Sequence, residues 1–339
     1  MERVQLNGAD IEYDVRGSGE PVVFIHGAIL SDGFVPVIEQ TGIAENFQVV
    51  HYRRRGYAGS SRALAGMMMQ GWAGDCIALL NHLGIASAHV AGHSFGAGIA
   101  LQMAIDAPGR VRKLALLEPP LLSLVPSGGQ FTEWVASVRE IYDSGDKTAA
   151  TDISLAGVYG QDYRRFTDGA LPAGAFDRAV SDIDTFFQVE LGAMQRWNIT
   201  TEGLKDIRHP VLSMRGSDTL PVFFEAADLL QQCCVATAAT LWLHIEMSAR
   251  GVARLTQPAD VGQHAAGVAF AVEFPQRPAG WTDRAAGGER CACRAAGGAH
   301  PHQPARVQRR TGRGSVRGDV PVFDGLKGGY DLRRRNWSK

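Results

Sequence analysis

The sequence predicts an α/β domain built on a mostly parallel sheet. Short runs that are apolar at nearly every position, such as Val22-Val23-Phe24-Ile25 and Gln48-Val49-Val50-His51-Tyr52, alternate with segments of helical spacing. Runs of that kind are strands covered on both faces, and their alternation with helices implies right-handed crossovers between parallel neighbours. A stretch with several helical patterns and no strand, residues 121–205, then interrupts the alternation. The strand pattern returns at Pro210-Val211-Leu212-Ser213-Met214.

Taken in order, residues 3–15 alternate about Asn7-Gly8, a pair that tolerates positive φ and closes hairpins. The runs at Val22 and Gln48 are inner strands. Ile77 to Leu83 has helical spacing, Ala88 to Ala91 is a strand, Ala97 to Ile105 is a buried helix, and Leu114 to Leu117 is the next strand. Inside the interruption, Trp134 to Tyr142 and Phe176 to Trp197 are helical. After it come a helix at Phe224 to Gln231 and a strand at Ala239 to Ile245. The expected organisation is a sheet core from residues 1–120 and 206–274, a helical cap over the site from 121–205, and a tail from 275–339.

The tail holds 14 of the 34 Lys and Arg but only 5 of the 35 Asp and Glu, and few branched apolar residues. It cannot bury enough apolar surface to offset its ordering entropy, which predicts disorder. Coding text read out of frame is an alternative source of such a composition. Sparse aromatic residues argue against a nucleic-acid-binding tail.

The formal net charge of the whole chain is −1, which supplies no field to steer it to nucleic acid or to a membrane surface, and a small-molecule partner fits best. A homodimer is compatible with this reading. The N-terminal residues lack the basic start and apolar run of a secretory signal, and no apolar stretch reaches membrane-spanning length. Five cysteines without framework spacing point to a reducing interior, so the expected location is cytoplasmic. Cys291 and Cys293 sit too close together for a metal cluster, and no G-x-G-x-x-G opens a helix after the first strand, so neither metal nor cofactor is expected.

The strongest chemical signal is Gly92-His93-Ser94-Phe95-Gly96, directly after a strand and directly before a helix. A serine on that sharp turn needs small flanking residues, lifts its hydroxyl above the sheet, and faces a helix N-terminus that favours developing negative charge. Ser94 is therefore the candidate nucleophile. His26-Gly27-Ala28 follows the strand ending at Ile25, so the N–H groups of Ala28 and Phe95 are the candidate oxyanion donors. His26 itself reads as a structural hydrogen-bonding residue.

These residues carry a resemblance. "VVFIHG", "YRRRGYAGSS" and "VAGHSFGAGIAL", in that order, resemble the α/β-hydrolase superfamily, and within it the cofactor-free serine esterases and lactonases with a helical cap. The similarity covers roughly residues 3–262. It implies an eight-stranded, mainly parallel sheet, a cap between strands six and seven, and a triad in the order serine, acid, histidine. Two residues match the acid: Asp218, in Gly216-Ser217-Asp218 after one strand, and Glu118, at the end of the strand after the nucleophile strand. The loop where the family carries its histidine holds Arg250-Gly251, and arginine cannot be a base in a protein. His244 is the nearest substitute.

The expected function is cleavage of a small ester or lactone through an acyl-enzyme on Ser94. Within the same class the alternatives are a cofactor-free haloperoxidase-like enzyme or a carbon–carbon bond hydrolase. Outside it stands a non-catalytic or impaired binding protein without a working base. Phe186, Phe187 and Trp197 are candidate pocket walls, although aromatic residues on helices are more often simply core.

Overall fold

A computed structural model of the chain describes residues 1–39, 41–216, 219–234 and 237–243. Asp218, His244, Arg250, Gly251, Cys291, Cys293 and the whole of 275–339 lie outside the described residues.

The eight strands are β1 (Glu2–Leu6), β2 (Ala9–Arg16), β3 (Glu20–Ile25), β4 (Phe47–Arg53), β5 (Ala88–His93), β6 (Val111–Leu117), β7 (Val211–Gly216) and β8 (Thr237–Leu243). They form one sheet in the order β1-β2-β4-β3-β5-β6-β7-β8. Only β1 with β2 and β2 with β4 pair antiparallel; every pair from β4 to β8 is parallel. The β1–β2 hairpin closes at Asn7 and Gly8, both at positive φ (51° and 73°), as a turn matched to the twist of its strands requires.

The inner strands are buried because their side chains are apolar on both faces. Val22, Phe24, Val49, Ala91 and Ala115 pack with Phe34 and Ile38 into one cluster on the sheet. The short helices α1 (Val35–Ile38) and α2 (Thr41–Asn46) lie between β3 and β4, and α3 (Met69–His82) between β4 and β5. α3 begins a full two turns before the helical spacing at Ile77, since Gly71 and Gly74 interrupt its pattern. α4 (Phe95–Asp106) is buried on every face from Phe95 through Ala104, which explains why its sequence is apolar all round.

Between β6 and β7 run α5 (Gly128–Asp143), α6 (Lys147–Tyr159), α7 (Tyr163–Ala170), α8 (Ala175–Asp184), a π-helical stretch (Thr185–Glu190), α9 (Leu191–Gln195) and α10 (Thr201–Lys205). α5 is amphipathic: Phe131, Val135, Val138 and Tyr142 are buried along one stripe. α11 (Pro221–Cys233) joins β7 to β8.

The chain leaves β3 toward β4 on one side and later places β5 on the other. The strand order thus reverses between β3 and β5, and the loops leaving their carboxyl ends diverge. A crevice opens at such a point in any open α/β sheet.

Close backbone contacts pack β3, β5 and α4 tightly where this crevice begins. A methyl group on Gly96 would lie 2.0 Å from the Ile25 carbonyl oxygen, and one on Gly92 would lie 2.4 Å from the Gly96 carbonyl oxygen. Gly96→Ala is expected to force β3 and α4 apart and to destabilise the fold by about 1–3 kcal/mol or more. The check is a lowered urea midpoint with an unchanged m-value.

Candidate active site

Ser94 sits between β5 and α4 with φ 49° and ψ −117°, a conformation that L-residues rarely adopt. Its N–H donates to the Leu117 carbonyl oxygen (2.8 Å), and its own carbonyl accepts from Ala97 and Gly98, the first turn of α4. The strain, of order 1–3 kcal/mol, is held in place by these bonds and by the glycine contacts. Ser94 is half-buried and lines a pocket at the crevice with Ala28, Ile29, His93, Phe95 and Glu118.

Most of the remaining walls among the described residues come from the helical insertion, joined by Pro120 and by Phe223 of α11. Phe131, Trp134, Val135 and Val138 of α5, Leu155 and Tyr159 of α6, and Phe186 of the π-helical stretch make the pocket largely apolar. Its cavity volume is about 60 Å³. Of the three aromatic residues expected as walls, Phe186 is one. Phe187 instead stacks on Tyr142 at 4.6 Å between centroids. Trp197 is core: its indole N–H donates to Gln102 Oε1 (2.7 Å), and a methyl on Gly98 would touch its ring.

Phe95 is the first residue of α4, so its N–H has no acceptor one turn back in the helix. On the facing loop, Ile29 N–H donates to the Tyr57 hydroxyl (3.1 Å) and Leu30 N–H to the Ala28 carbonyl (2.7 Å). The Ala28 N–H has no acceptor among the described residues. Ile29 is held at φ 66°, which is costly for a β-branched side chain.

Glu118 follows β6 directly, also at positive φ (50°). Its N–H donates to the Met214 carbonyl oxygen (3.0 Å), and its Oε1 accepts from the Gly216 N–H at the end of β7 (2.9 Å). The carboxylate is thereby fixed at the pocket, and Oε2 has no partner among the described residues. His93 also lines the pocket; burial pulls its pKa below the ordinary value, and the nearby Glu118 charge opposes that shift. A methyl on Gly27 would stand 2.8 Å from His93 Nδ1, so the imidazole packs directly against the loop that carries Ala28.

Beneath that loop lies a fully buried ion pair, Arg54 with Glu190, at 2.6 Å. His26 belongs to the same layer: its Nε2 accepts from the Arg54 backbone N–H (3.0 Å). Burial, followed by the positive charges of Arg54 and Arg53, drives the His26 pKa far down, so the ring is neutral and structural.

Comparison with known proteins agrees with this architecture. Residues 20–148 match the family model for the alpha/beta hydrolase fold. The chain is 30% identical to a non-heme haloperoxidase of Rhodococcus erythropolis over 56% of this chain and 64% of that protein. It is 37% identical to the dihydrolipoyllysine-residue acetyltransferase component of the acetoin cleaving system of Cupriavidus necator, over 34% of this chain and 30% of that one. The solved structure of the enol-lactonase from Burkholderia xenovorans superposes with a TM-score of 0.58 at 19% identity, covering 69% of this chain and 88% of the other.

The chain has the α/β-hydrolase fold. As expected of an open α/β sheet, it carries its crevice at the carboxyl edge of a mostly parallel sheet. It spans less than two thirds of the length of these curated relatives. Among the described residues no group of three or more His, Cys, Asp or Glu could hold a metal ion, and no helix is long and apolar enough to cross a membrane.

Residues with no counterpart among the expected site residues are His93, Ile29, Arg54, Tyr57 and Glu190. A signal for Glu190 exists in the text: it is a lone carboxylate among apolar neighbours in Phe186-Phe187-Gln188-Val189-Glu190-Leu191, and a buried carboxylate needs a partner.

Two buried histidines make the fold acid-sensitive. Burial, then Arg53, brings His51 down from 6.5 to about 3, and its Nε2 has no hydrogen-bond partner. The unfolded chain therefore binds protons below about pH 6.5 that the folded chain refuses until about pH 3. Stability is expected to fall as pH drops through this window, by up to about 1.4 kcal/mol per pH unit for each such group. Urea midpoints at pH 7, 6 and 5 check this, and His51→Leu should flatten the slope by about one proton.

Proposed function

We propose that the chain is a serine hydrolase that cleaves a small ester or lactone through an acyl-enzyme on Ser94. The observation that carries this reading is the strained backbone at Ser94, which presents one hydroxyl at the strand-order reversal, between a free helix N-terminus and the Ala28 loop.

In this mechanism the Ser94 hydroxyl attacks the substrate carbonyl and gives its proton to a histidine. The tetrahedral oxyanion is received by the Phe95 and Ala28 N–H groups, which point at charge that exists only in the transition state. The histidine returns the proton to the leaving alcohol, and water repeats the sequence on the acyl group. Glu118 is the carboxylate that orients the imidazole. Support comes from its place in the pocket, its positive φ and its anchoring by Gly216. His244 is assigned as the base on its position in sequence, immediately after β8, which ends at the same edge of the sheet. The insertion 121–205 serves as the cap, because α5 and α6 supply the apolar walls.

The cavity suits a short acyl chain. Its volume of about 60 Å³ is below the roughly 150 Å³ in which a dry cavity takes up benzene. Turnover of p-nitrophenyl acetate is expected to exceed that of the hexanoate by at least about tenfold in kcat/KM, since each added methylene must force the walls apart.

The Arg250-Gly251 pair where the family carries its histidine favours a second reading, a pocket that binds but does not turn over. Ester hydrolysis decides between them. Ser94→Ala should return p-nitrophenyl acetate cleavage to background, and Glu118→Gln should lower kcat by roughly 10⁴-fold, as loss of the orienting carboxylate does in other triads. A wild-type rate no higher than that of Ser94→Ala would leave only the binding reading.

A further inference from the structure

We infer that Glu190, acting through Arg54 and Tyr57, is a positioning residue that sets the direction of the Ala28 N–H; this rests on the oxyanion role proposed for that group. Each carboxylate oxygen of Glu190 holds a different orienter: Oε1 accepts from Arg54 Nη1 (2.6 Å) and Oε2 from the Tyr57 hydroxyl (2.9 Å). All three side chains are fully buried.

The two orienters grip the two peptide units that flank Ala28. Arg54 Nη2 donates to the Gly27 carbonyl oxygen (2.8 Å) and Nε to the His26 carbonyl oxygen (2.9 Å). The Gly27 carbonyl and the Ala28 N–H belong to one planar trans peptide, so they point in opposite directions. Fixing the oxygen on the guanidinium aims the N–H away from it. On the next unit, the Tyr57 hydroxyl receives the Ile29 N–H while donating to Glu190, which holds Ile29 at its positive φ. A charge-assisted bond to the Gly27 oxygen also polarises that peptide and makes its N–H a stronger donor.

Stability alone does not account for this arrangement. A buried ion pair seldom stabilises a fold more than apolar residues of the same shape, and here three polar side chains converge under one loop. Glu190 also closes the π-helical stretch Thr185–Glu190, a rare local geometry that is frequent at functional sites. The carboxylate that aims the donor thus comes from the same helical insertion that walls the pocket, 136 residues from Arg54.

Three variants test the assignment. Tyr57→Phe removes one hydroxyl and leaves the ion pair; Glu190→Gln removes the charge and keeps the shape; Ser94→Ala reports on the hydrolase reading itself. In p-nitrophenyl acetate hydrolysis, Tyr57→Phe and Glu190→Gln are expected to lower kcat about tenfold to hundredfold while KM changes less than threefold. Affinity for a short alkyl trifluoromethyl ketone, which forms an oxyanion on Ser94, should fall in parallel; affinity for the unfluorinated ketone should not. Folded variants whose kcat and ketone ratio stay within twofold of wild type would overturn the inference while leaving the Ser94 reading intact, provided Ser94→Ala is inactive.

A readout that needs no turnover is amide hydrogen exchange. The peptide covering 24–33 should lose protection in Glu190→Gln, with the β2 peptide 9–16 unchanged. Equal protection at 24–33 in variant and wild type overturns the inference even in a chain that hydrolyses nothing.

Discussion

The pair formed by Arg54 and Glu190 joins two parts of the chain that share no strand and no helix. Arg54 follows β4 in the sheet core; Glu190 ends the π-helical stretch of the insertion. Neither charge can stay buried without the other, because removing one partner leaves an uncompensated charge at a cost of about 3–5 kcal/mol. Around the pair, further polar contacts tie the insertion to the loops after β3 and β4. Asp32 binds both Arg53 and Arg178, Ala58 N–H donates to Asp182, and Thr185 Oγ1 donates to the Gly56 carbonyl. The face of the insertion formed by residues 178–190 is therefore registered against the loops after β3 and β4 by charge and hydrogen bonding. Its other elements, α5 and α6, meet the pocket through apolar side chains, which specify position less sharply.

Strain concentrates at the same place. Five non-glycine residues have positive φ among the described residues, and three of them, Ile29, Ser94 and Glu118, line the pocket. Ser94 and Glu118 come directly after β5 and β6, and Ile29 stands four residues beyond β3, so all three follow carboxyl ends in the row β3, β5, β6. A strand that simply ran on would carry its next side chain past the crevice. A single left-handed residue turns the chain and aims the following group inward instead. The price of three such residues is several kcal/mol, offset by the backbone bonds from Ser94 to Leu117 and from Glu118 to Met214 that tie the strand ends together.

These two layers of the site differ in how far they could be read from the text. The Ser94 turn was legible because its constraint is local: Gly92 and Gly96 are small since the backbones of β3, β5 and α4 touch, and that requirement appears within five consecutive residues. The sheet was legible for a similar reason, as strands buried on both faces must be apolar throughout. Helix beginnings were less so, and Gly71 and Gly74 hid the first two turns of α3. Phe187 and Trp197 could be pocket walls or core on sequence alone, because a helix buries aromatics on whichever side its neighbours leave open; here that side is the core. Arg54, Tyr57 and Glu190 were illegible as a unit. Their pairing spans 133 to 136 residues, and no periodicity or spacing encodes contact over that distance.

The order of the strands also separates the charges that the proposed chemistry needs. Ser94 hangs from β5, the Ala28 donor follows β3 on one side, and Glu118 follows β6 on the other. Neighbouring strands lie about 4.8 Å apart, so donor and carboxylate stand on the order of 10 Å from each other with the nucleophile between. An oxyanion formed on the donor side is thus kept away from the fixed negative charge, which would otherwise oppose it in a low-dielectric pocket. An imidazolium formed on the Glu118 side would meet an attractive field. A sheet with β5 at its edge would crowd both functions onto one neighbour. The reversal of strand order between β3 and β5 does more than open a crevice: it gives the proposed nucleophile two flanks of opposite electrostatic character, and the role inferred for the buried Glu190 is to stiffen the one that would receive an anion.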